Sequence, residues 1–322
     1  MAWNAGGRDE EMGNYITISV SEDSGDTWDH DVMVIYPKNP KNTRILDPVL
    51  WRDDNDEIYI KFSVTMSDHG DQIDPMTSCH RMKISWSGNE MKFNVPEFLT
   101  YGLMVNPPTR IEGKDMTLYP ICRCSMNHLN KMRYEENPEK GTYAYSLKNG
   151  KFRLYSVLPE VDYSLYDFEE HQFLSLDDSG KELMCISRFR NGTNKCFSHD
   201  YGRTWSDFEP MPEIGPSTSS RACIFRLNSG KVMIIYNNAE DRSMMTVAIS
   251  EDNGSTWPYK TVIDERPLTS YPAASQSEDG TIFVAYDRDR YNDMDIHFLR
   301  FGENDIINNK KENIFRQNLT HF

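Results

Sequence analysis

The chain has 322 residues, enough for one large domain or two ordinary ones, with 12% aromatic residues and a formal net charge of −15. A field of that sign repels phosphate backbones and sets nucleic acid aside as a partner. No apolar run approaches the ~18 residues that cross a bilayer, and the six cysteines form no CxxC pair, so no disulfide framework, metal site or other cofactor is expected.

The start, "MAWNAGGRDEEMGNY", lacks the basic segment and apolar run of a secretory signal, and the chain is expected to be cytoplasmic as written, or secreted if it is a trimmed form. A strand-like run, "YITISVS", then leads into "SEDSGDTW" at Ser21–Trp28. The same spelling, Ser-x-Asp-x-Gly-x-Thr-Trp, returns as "SHDYGRTW" at Ser198–Trp205 and, after "MMTVAIS", as "SEDNGSTW" at Ser250–Trp257. Each residue type has a local task. The aspartate accepts backbone N–H groups and fixes a turn, the glycine takes a left-handed backbone angle, and the tryptophan packs back on the sheet. The box reads as a hairpin staple, and nothing in it requires access to a substrate.

Fainter copies, "SWSGNEM" at Ser85 and "SLKNGKF" at Ser146, fill the gaps, so the first residues fall at 21, 85, 146, 198 and 250. A period of about 50–60 residues is that of a repeat built on one four-stranded unit. Between the boxes run short β-rich segments, "EIYIKFSV", "KVMIIYNN" and "TIFVAYD", set off by "DDND", "NSG" and "EDG" turns, without sustained helical periodicity. These features predict an all-β protein: a six-bladed β-propeller, or five complete blades and a fragment, in one continuous domain over residues 1–322.

The three boxes resemble the Asp boxes of the sialidase superfamily of β-propellers, over most of the chain from about Trp3 to Phe301. Within that superfamily, "EEHQF", "WPYKTVIDER", "SYPAASQSEDG" and "YDRDRYNDMDIHFLRF" resemble bacterial BNR-repeat, sialidase-like proteins whose substrates are unassigned. The resemblance implies an exo-glycosidase acting on a carbohydrate partner with an acidic terminal sugar. Sialidases use a tyrosine nucleophile, a recognised exception among glycosidases. The chemistry explains that choice. The anomeric carbon already carries a carboxylate, which an anionic nucleophile would meet with like-charge repulsion. Guanidinium forks suit that carboxylate because they bind it through two parallel hydrogen bonds.

Carried over residue by residue, the resemblance assigns Glu170 of "EEHQFLSLDDSGKELMCISR" as the base and Arg188 as a carboxylate-binding arginine. It assigns Arg242 of "NNAEDRSMMTVAIS" as a second arginine and Tyr271 of "SYPAASQSEDG" as the nucleophile. Asp47 of "ILDPVLW" presents a carboxylate and shares the acid role with Asp9, the one aspartate in the loop before the first box. Arg221 of "SSRAC", and Arg288 and Arg290 of "YDRDR", are further anion-binding candidates. The Arg-Ile-Pro motif that carries the family's first arginine is missing from this sequence, and a propeller lacking the usual first strand is expected.

Local patterns add competing readings. Arg188 and Arg190 alternate about Phe189, as Arg288 and Arg290 do about Asp289, which puts each pair on one strand side. Arg242 could equally pair with Glu240 or Asp241. Pro48 favours an extended Asp47, and a turn role for that residue competes equally. His171, beside Glu170, keeps open a histidine-centred glycosidase or lyase acting on a uronate or rhamnose-type linkage, and a non-catalytic glycan-binding propeller is the third reading.

Overall fold

The structure, a computed structural model, describes residues 1–8, 10–66, 77–88, 90–123, 141–162, 164–165 and 170–320. The fold is all-β, a six-bladed β-propeller by class, with six antiparallel sheets along the chain. Among the described residues the one α-helix is Glu303–Ile307. The chain divides into two compact units, one of Met1–Pro108 with Met116–Leu158, the other of Thr109–Asp115 with Pro159–Phe322.

In the first unit, the first sheet has three strands, Ala2–Ala5, Tyr15–Val20 and Asp29–Ile35. The second runs Arg44–Arg52, Ile58–Thr65, Ser78–Ser87 and Glu90–Phe93, with Glu97–Tyr101 also paired to Ser78–Ser87. The third holds Met116–Arg123, Gly141–Lys148 and Lys151–Val157.

The second unit holds three four-stranded sheets whose strands pair in chain order. The fourth sheet is Gln172–Ser175, Leu183–Phe189, Gly192–Ser198 and Glu209–Pro210. The fifth is Cys223–Arg226, Val232–Asn237, Met245–Ser250 and Tyr259–Asp264. The sixth is Thr269–Gln276, Thr281–Arg288, Asp295–Gly302 and Phe315–Asn318.

Strand periodicity explains the packing. Every residue of Val232–Asn237 is buried, because successive side chains leave opposite faces of a sheet that is covered on both. Val232, Ile234 and Tyr236 pack with Leu174, Met184 and Ile186 of the fourth sheet. Met233 and Ile235 pack with Ile282, Val284 and Leu299 of the sixth. A run such as "KVMIIYNN" therefore reads apolar throughout and yet is a strand. Burying each such side chain contributes roughly 1.5–3 kcal/mol.

The three boxes repeat one hydrogen-bond pattern. The serine Oγ accepts the glycine N–H at 2.7, 2.9 and 2.8 Å in Gly25, Gly202 and Gly254. Asp23, Asp200 and Asp252 accept the threonine N–H at 2.8, 2.9 and 2.8 Å and the threonine Oγ1 at 2.7 Å each. Those bonds hold the Asp23 and Asp252 carboxyls down to about 2. The residue before each glycine, Ser24, Tyr201 or Asn253, also has positive φ, so two left-handed residues in succession make the turn. Each box enters the last strand of its sheet, and the faint copies at Ser85 and Ser146 also stand at the last hairpin of theirs.

In the second unit this fixes where chemistry can sit. The strands alternate direction, so the start of the first strand and the exit of the second lie at one end of a sheet. The exit of the third, with its box, lies at the other.

Candidate active site

Six side chains converge at that first end of the second unit. Glu170 stands two residues before the first strand of the fourth sheet, and Arg221 two before that of the fifth. Tyr271 lies just inside the first strand of the sixth. Arg188 is the last residue but one of the second strand of the fourth sheet, Arg242 follows the second strand of the fifth, and Arg290 follows that of the sixth.

Tyr271 is aimed by a bulge. In the register of the sixth sheet Ser270 faces Asp287 and Ala273 faces Ala285, so Tyr271 and Pro272 together oppose Tyr286 alone. Tyr271 has φ +54°, an uncommon angle for a bulky residue, and one that costs about 1–3 kcal/mol unless the surroundings hold it. Arg221 helps to hold it, donating from Nη2 to the Tyr271 carbonyl at 2.9 Å.

The phenol sits in a closed triangle of charge-assisted bonds. Tyr271 Oη donates to Glu170 Oε1 at 2.9 Å and accepts from Arg188 Nη1 at 2.7 Å. Arg188 Nη1 also donates to Glu170 Oε2 at 3.1 Å. Both partners are about nine-tenths buried, which strengthens each bond. Burial first, then the Glu170 charge, push the Tyr271 phenol up to about 12, while Arg188, Arg290 and Arg242 pull it down. The phenol is therefore neutral at pH 7, with its proton already directed at a carboxylate.

Three guanidiniums surround the ring itself: Arg221 and Arg242 at 5.3 Å from its centroid and Arg290 at 4.6 Å. Arg188 brings the count to four, in a chain of net charge −15. Arg290 is tied to Asp287 at 3.0 Å. Arg242 makes no ion pair among the described residues; its Nη2 reaches only the Ser219 carbonyl at 3.5 Å. Its pairing with Glu240 or Asp241, open on the sequence alone, is not made. This group can hold an anion beside an activatable phenol.

Other expectations fare differently. Arg190 lies in the turn beyond Phe189, not on the strand with Arg188. Arg288 and Arg290 part company, because the strand ends at Arg288 and Asp289 turns the chain with φ +46°. Arg288 binds Asp293 at 2.8 Å and Asp295 at 3.2 Å, so it is spent on a structural network. His171 is 1% exposed, its ring edge-on to Phe173 at 5.2 Å. Asp9 lies outside the described residues.

Asp47 belongs to the first unit and is not extended, as the following proline suggested. It has φ +55° in a bulge where Asp47 and Pro48 oppose Phe62. Asn4 Oδ1 accepts its N–H at 3.1 Å, and buried Lys61 donates to its carbonyl at 3.4 Å. Asp47-Pro48 and Tyr271-Pro272 are thus the same device in two sheets: an X-Pro bulge in a first strand, with X left-handed.

Ser219 was not foreseen. Its Oγ accepts Arg188 Nε at 3.0 Å, and its carbonyl faces Arg242, so one residue touches two of the arginines. The small hydroxyl run "STSS" immediately before Arg221 was the available signal.

Residues 1–284 match a family described as a BNR repeat-like domain. The sequence matches no curated protein. Among solved structures the chain is similar to the Hadza microbial sialidase Hz136, at 15% identity and TM-score 0.68, covering 93% of this chain and 61% of that one. It is similar to the intramolecular trans-sialidase from Ruminococcus gnavus, in complex with oseltamivir carboxylate, at 12% identity and TM-score 0.70, covering 95% and 92%. The leech intramolecular trans-sialidase, complexed with 2,7-anhydro-Neu5Ac, is similar at 12% identity and TM-score 0.68, covering 93% and 64%. The chain thus spans less than two thirds of the Hadza and leech proteins. At these identities the likeness is one of fold.

Proposed function

The chain belongs to the BNR repeat-like family, and from that premise we propose that it is an exo-acting glycoside hydrolase of the sialidase type. It removes a terminal acidic sugar from a glycan. The observation that carries the reading is the triangle of Tyr271, Glu170 and Arg188, set on a left-handed tyrosine among four arginines. The names of the similar structures, a sialidase and two intramolecular trans-sialidases, agree with it.

In the proposed reaction Arg242 takes the sugar carboxylate together with Arg188. Tyr271 Oη attacks the anomeric carbon and hands its proton to Glu170 Oε1, 2.9 Å away. A bond forms between Oη and the anomeric carbon as the bond to the leaving-group oxygen breaks. That oxygen leaves with a proton drawn from water. Water then attacks the same carbon and releases the sugar, its own proton passing to solvent, while protonated Glu170 returns its proton to the Tyr271 oxygen as the bond to the anomeric carbon breaks. Arg188 stays on the phenol oxygen throughout, where it opposes the charge that develops as the proton leaves.

The test is hydrolysis of an aryl sialoside, 4-methylumbelliferyl N-acetylneuraminate, by the wild type and by Tyr271→Phe. Turnover by the wild type and a loss of at least about a thousandfold in kcat for the variant are expected. Binding without turnover by the wild type, or activity surviving the substitution, overturns the reading.

A further inference from the structure

Three consecutive residues lead the phenol into the site, and each is tied to a different arginine. The Arg242 carbonyl accepts the Thr269 N–H at 2.9 Å, Arg290 Nη2 donates to Ser270 Oγ at 3.2 Å, and Arg221 Nη2 donates to the Tyr271 carbonyl at 2.9 Å. The same three arginines surround the tyrosine ring. The nucleophile and the guanidiniums about it are therefore one assembly. Its alignment depends on what joins the loop of Arg242 to the strand of Tyr271.

A buried amide makes that join. Asn237, the last residue of the second strand of the fifth sheet, is 2% exposed. Its Nδ2 donates to the Ser243 carbonyl at 2.9 Å and to the Thr269 carbonyl at 3.0 Å. An amide nitrogen carries two hydrogens. One goes to the residue after Arg242, the other to the strand two residues before Tyr271. We propose that Asn237 is a positioning residue: it fixes the separation of Arg242 from Tyr271, and so the alignment of the nucleophile on a substrate held by its carboxylate. The inference rests on the reading of the site as a sialidase-type glycosidase.

The substrate makes that separation matter. In the proposed sugar the carboxylate is bonded directly to the anomeric carbon, so the group that Arg242 holds and the atom that Tyr271 attacks are one bond apart. The Arg242 guanidinium carbon lies 5.3 Å from the Tyr271 ring centroid, and little slack is left between clamp and nucleophile. A misplacement of about 1 Å can cost a hundredfold in rate. Tyr271 also has φ +54°, an angle that persists only where its surroundings hold it.

The local structure puts this task on the donors of Asn237. Asn237 pairs with Met245, so residues 238–244, Arg242 among them, form the hairpin loop. That loop reaches Thr269 through both of its backbone groups, the N–H bonded to Arg242 and the carbonyl to Asn237. Thr269 is fully buried, where such bonds are at their strongest. Asn237 Oδ1 is buried with no protein partner among the described residues, so the bonds of this side chain all come from Nδ2. If the amide did no more than satisfy two buried carbonyls, its loss would lower stability and leave the turnover of folded molecules alone.

Two variants separate these roles: Asn237→Leu keeps the volume and removes both donors, and Asn237→Thr keeps one. They are assayed on the aryl sialoside at a temperature where all the proteins are folded, beside Asp252→Asn, whose staple lies at the other end of the sheet. For both Asn237 variants kcat is expected to fall about tenfold or more, further for Asn237→Leu, with KM within about threefold of wild type. In ring-labelled tyrosine NMR the Tyr271 signal, identified by its loss in Tyr271→Phe, is expected to move in both and to stay in place in Asp252→Asn. Should Asn237→Leu not fold, Asn237→Thr carries the same comparison. A kcat within about threefold of wild type, a Tyr271 signal that does not move, or an equal loss of kcat in Asp252→Asn overturns the inference. A wild type without turnover overturns the reading beneath it, and the Tyr271 signal alone then decides the positioning.

Discussion

Glu170→Gln probes the triangle with almost no change in shape. The amide can still accept the Tyr271 hydroxyl at the position of Oε1, but it cannot take its proton. Loss of a positioned general base lowers turnover by typically 10²–10⁴-fold, and kcat on the aryl sialoside is expected within that range of loss. The substitution also removes the anion from a pair whose side chains are 9% exposed on each side. Breaking such a pair costs about 3–5 kcal/mol when the remaining charge is stranded. Arg188 is not stranded here, since Tyr271 Oη at 2.7 Å and Ser219 Oγ at 3.0 Å still accept from it. The expected destabilisation is therefore lower, about 2 kcal/mol, or roughly 3 °C in Tm for a chain of 322 residues. Removing the Glu170 charge also removes one of the two causes that raise the Tyr271 phenol, so that phenol should ionise at lower pH in the variant. Steady-state kinetics, thermal melting and NMR titration of ring-labelled tyrosine read the three quantities. A variant that melts lower yet keeps kcat within about threefold of wild type would refute the role of Glu170 as base.

Arg242→Ala should raise KM about tenfold or more on an acidic glycoside, with a smaller change in kcat, because the open guanidinium binds the carboxylate in ground and transition states alike; an unchanged KM contradicts the clamp. Asp252→Asn should lower the melting temperature and leave kcat unchanged. Its carboxyl is depressed to about 2, so its contribution is present above the ordinary value near 3.8 and is lost as pH falls towards 2. The melting gap between wild type and variant should accordingly close across that window, and a gap independent of pH contradicts the staple.

The blades were legible because their signals are local. A turn that needs Ser, Asp, Gly and Thr at fixed offsets can be read from eight residues, and the same bonds recur three times to within 0.2 Å. Glu170, Arg188, Arg242 and Tyr271 were legible through the resemblance of their segments to those of sialidases, and the four side chains do meet. What failed depended on where strands stop. Arg288 and Arg290 look equivalent in "YDRDR", but a left-handed Asp289 sends one to Asp295 and the other to the Tyr271 ring. The backbone before proline was read as extended at Asp47, yet the bulges at Asp47 and Tyr271 are set by pairing with a neighbouring strand. The hydroxyls of Ser217 and Ser219 gain their roles only from Thr193 and Arg188, far along the chain.

The most direct measurement is mass spectrometry of the protein after brief treatment with a 3-fluorinated sialosyl fluoride, whose fluorine slows release of a covalent intermediate. A glycosyl adduct on the peptide that carries Tyr271, lost in Tyr271→Phe and slower to form in Glu170→Gln, is the predicted result. An adduct on another residue, or release of fluoride with no adduct at Tyr271, would contradict the account.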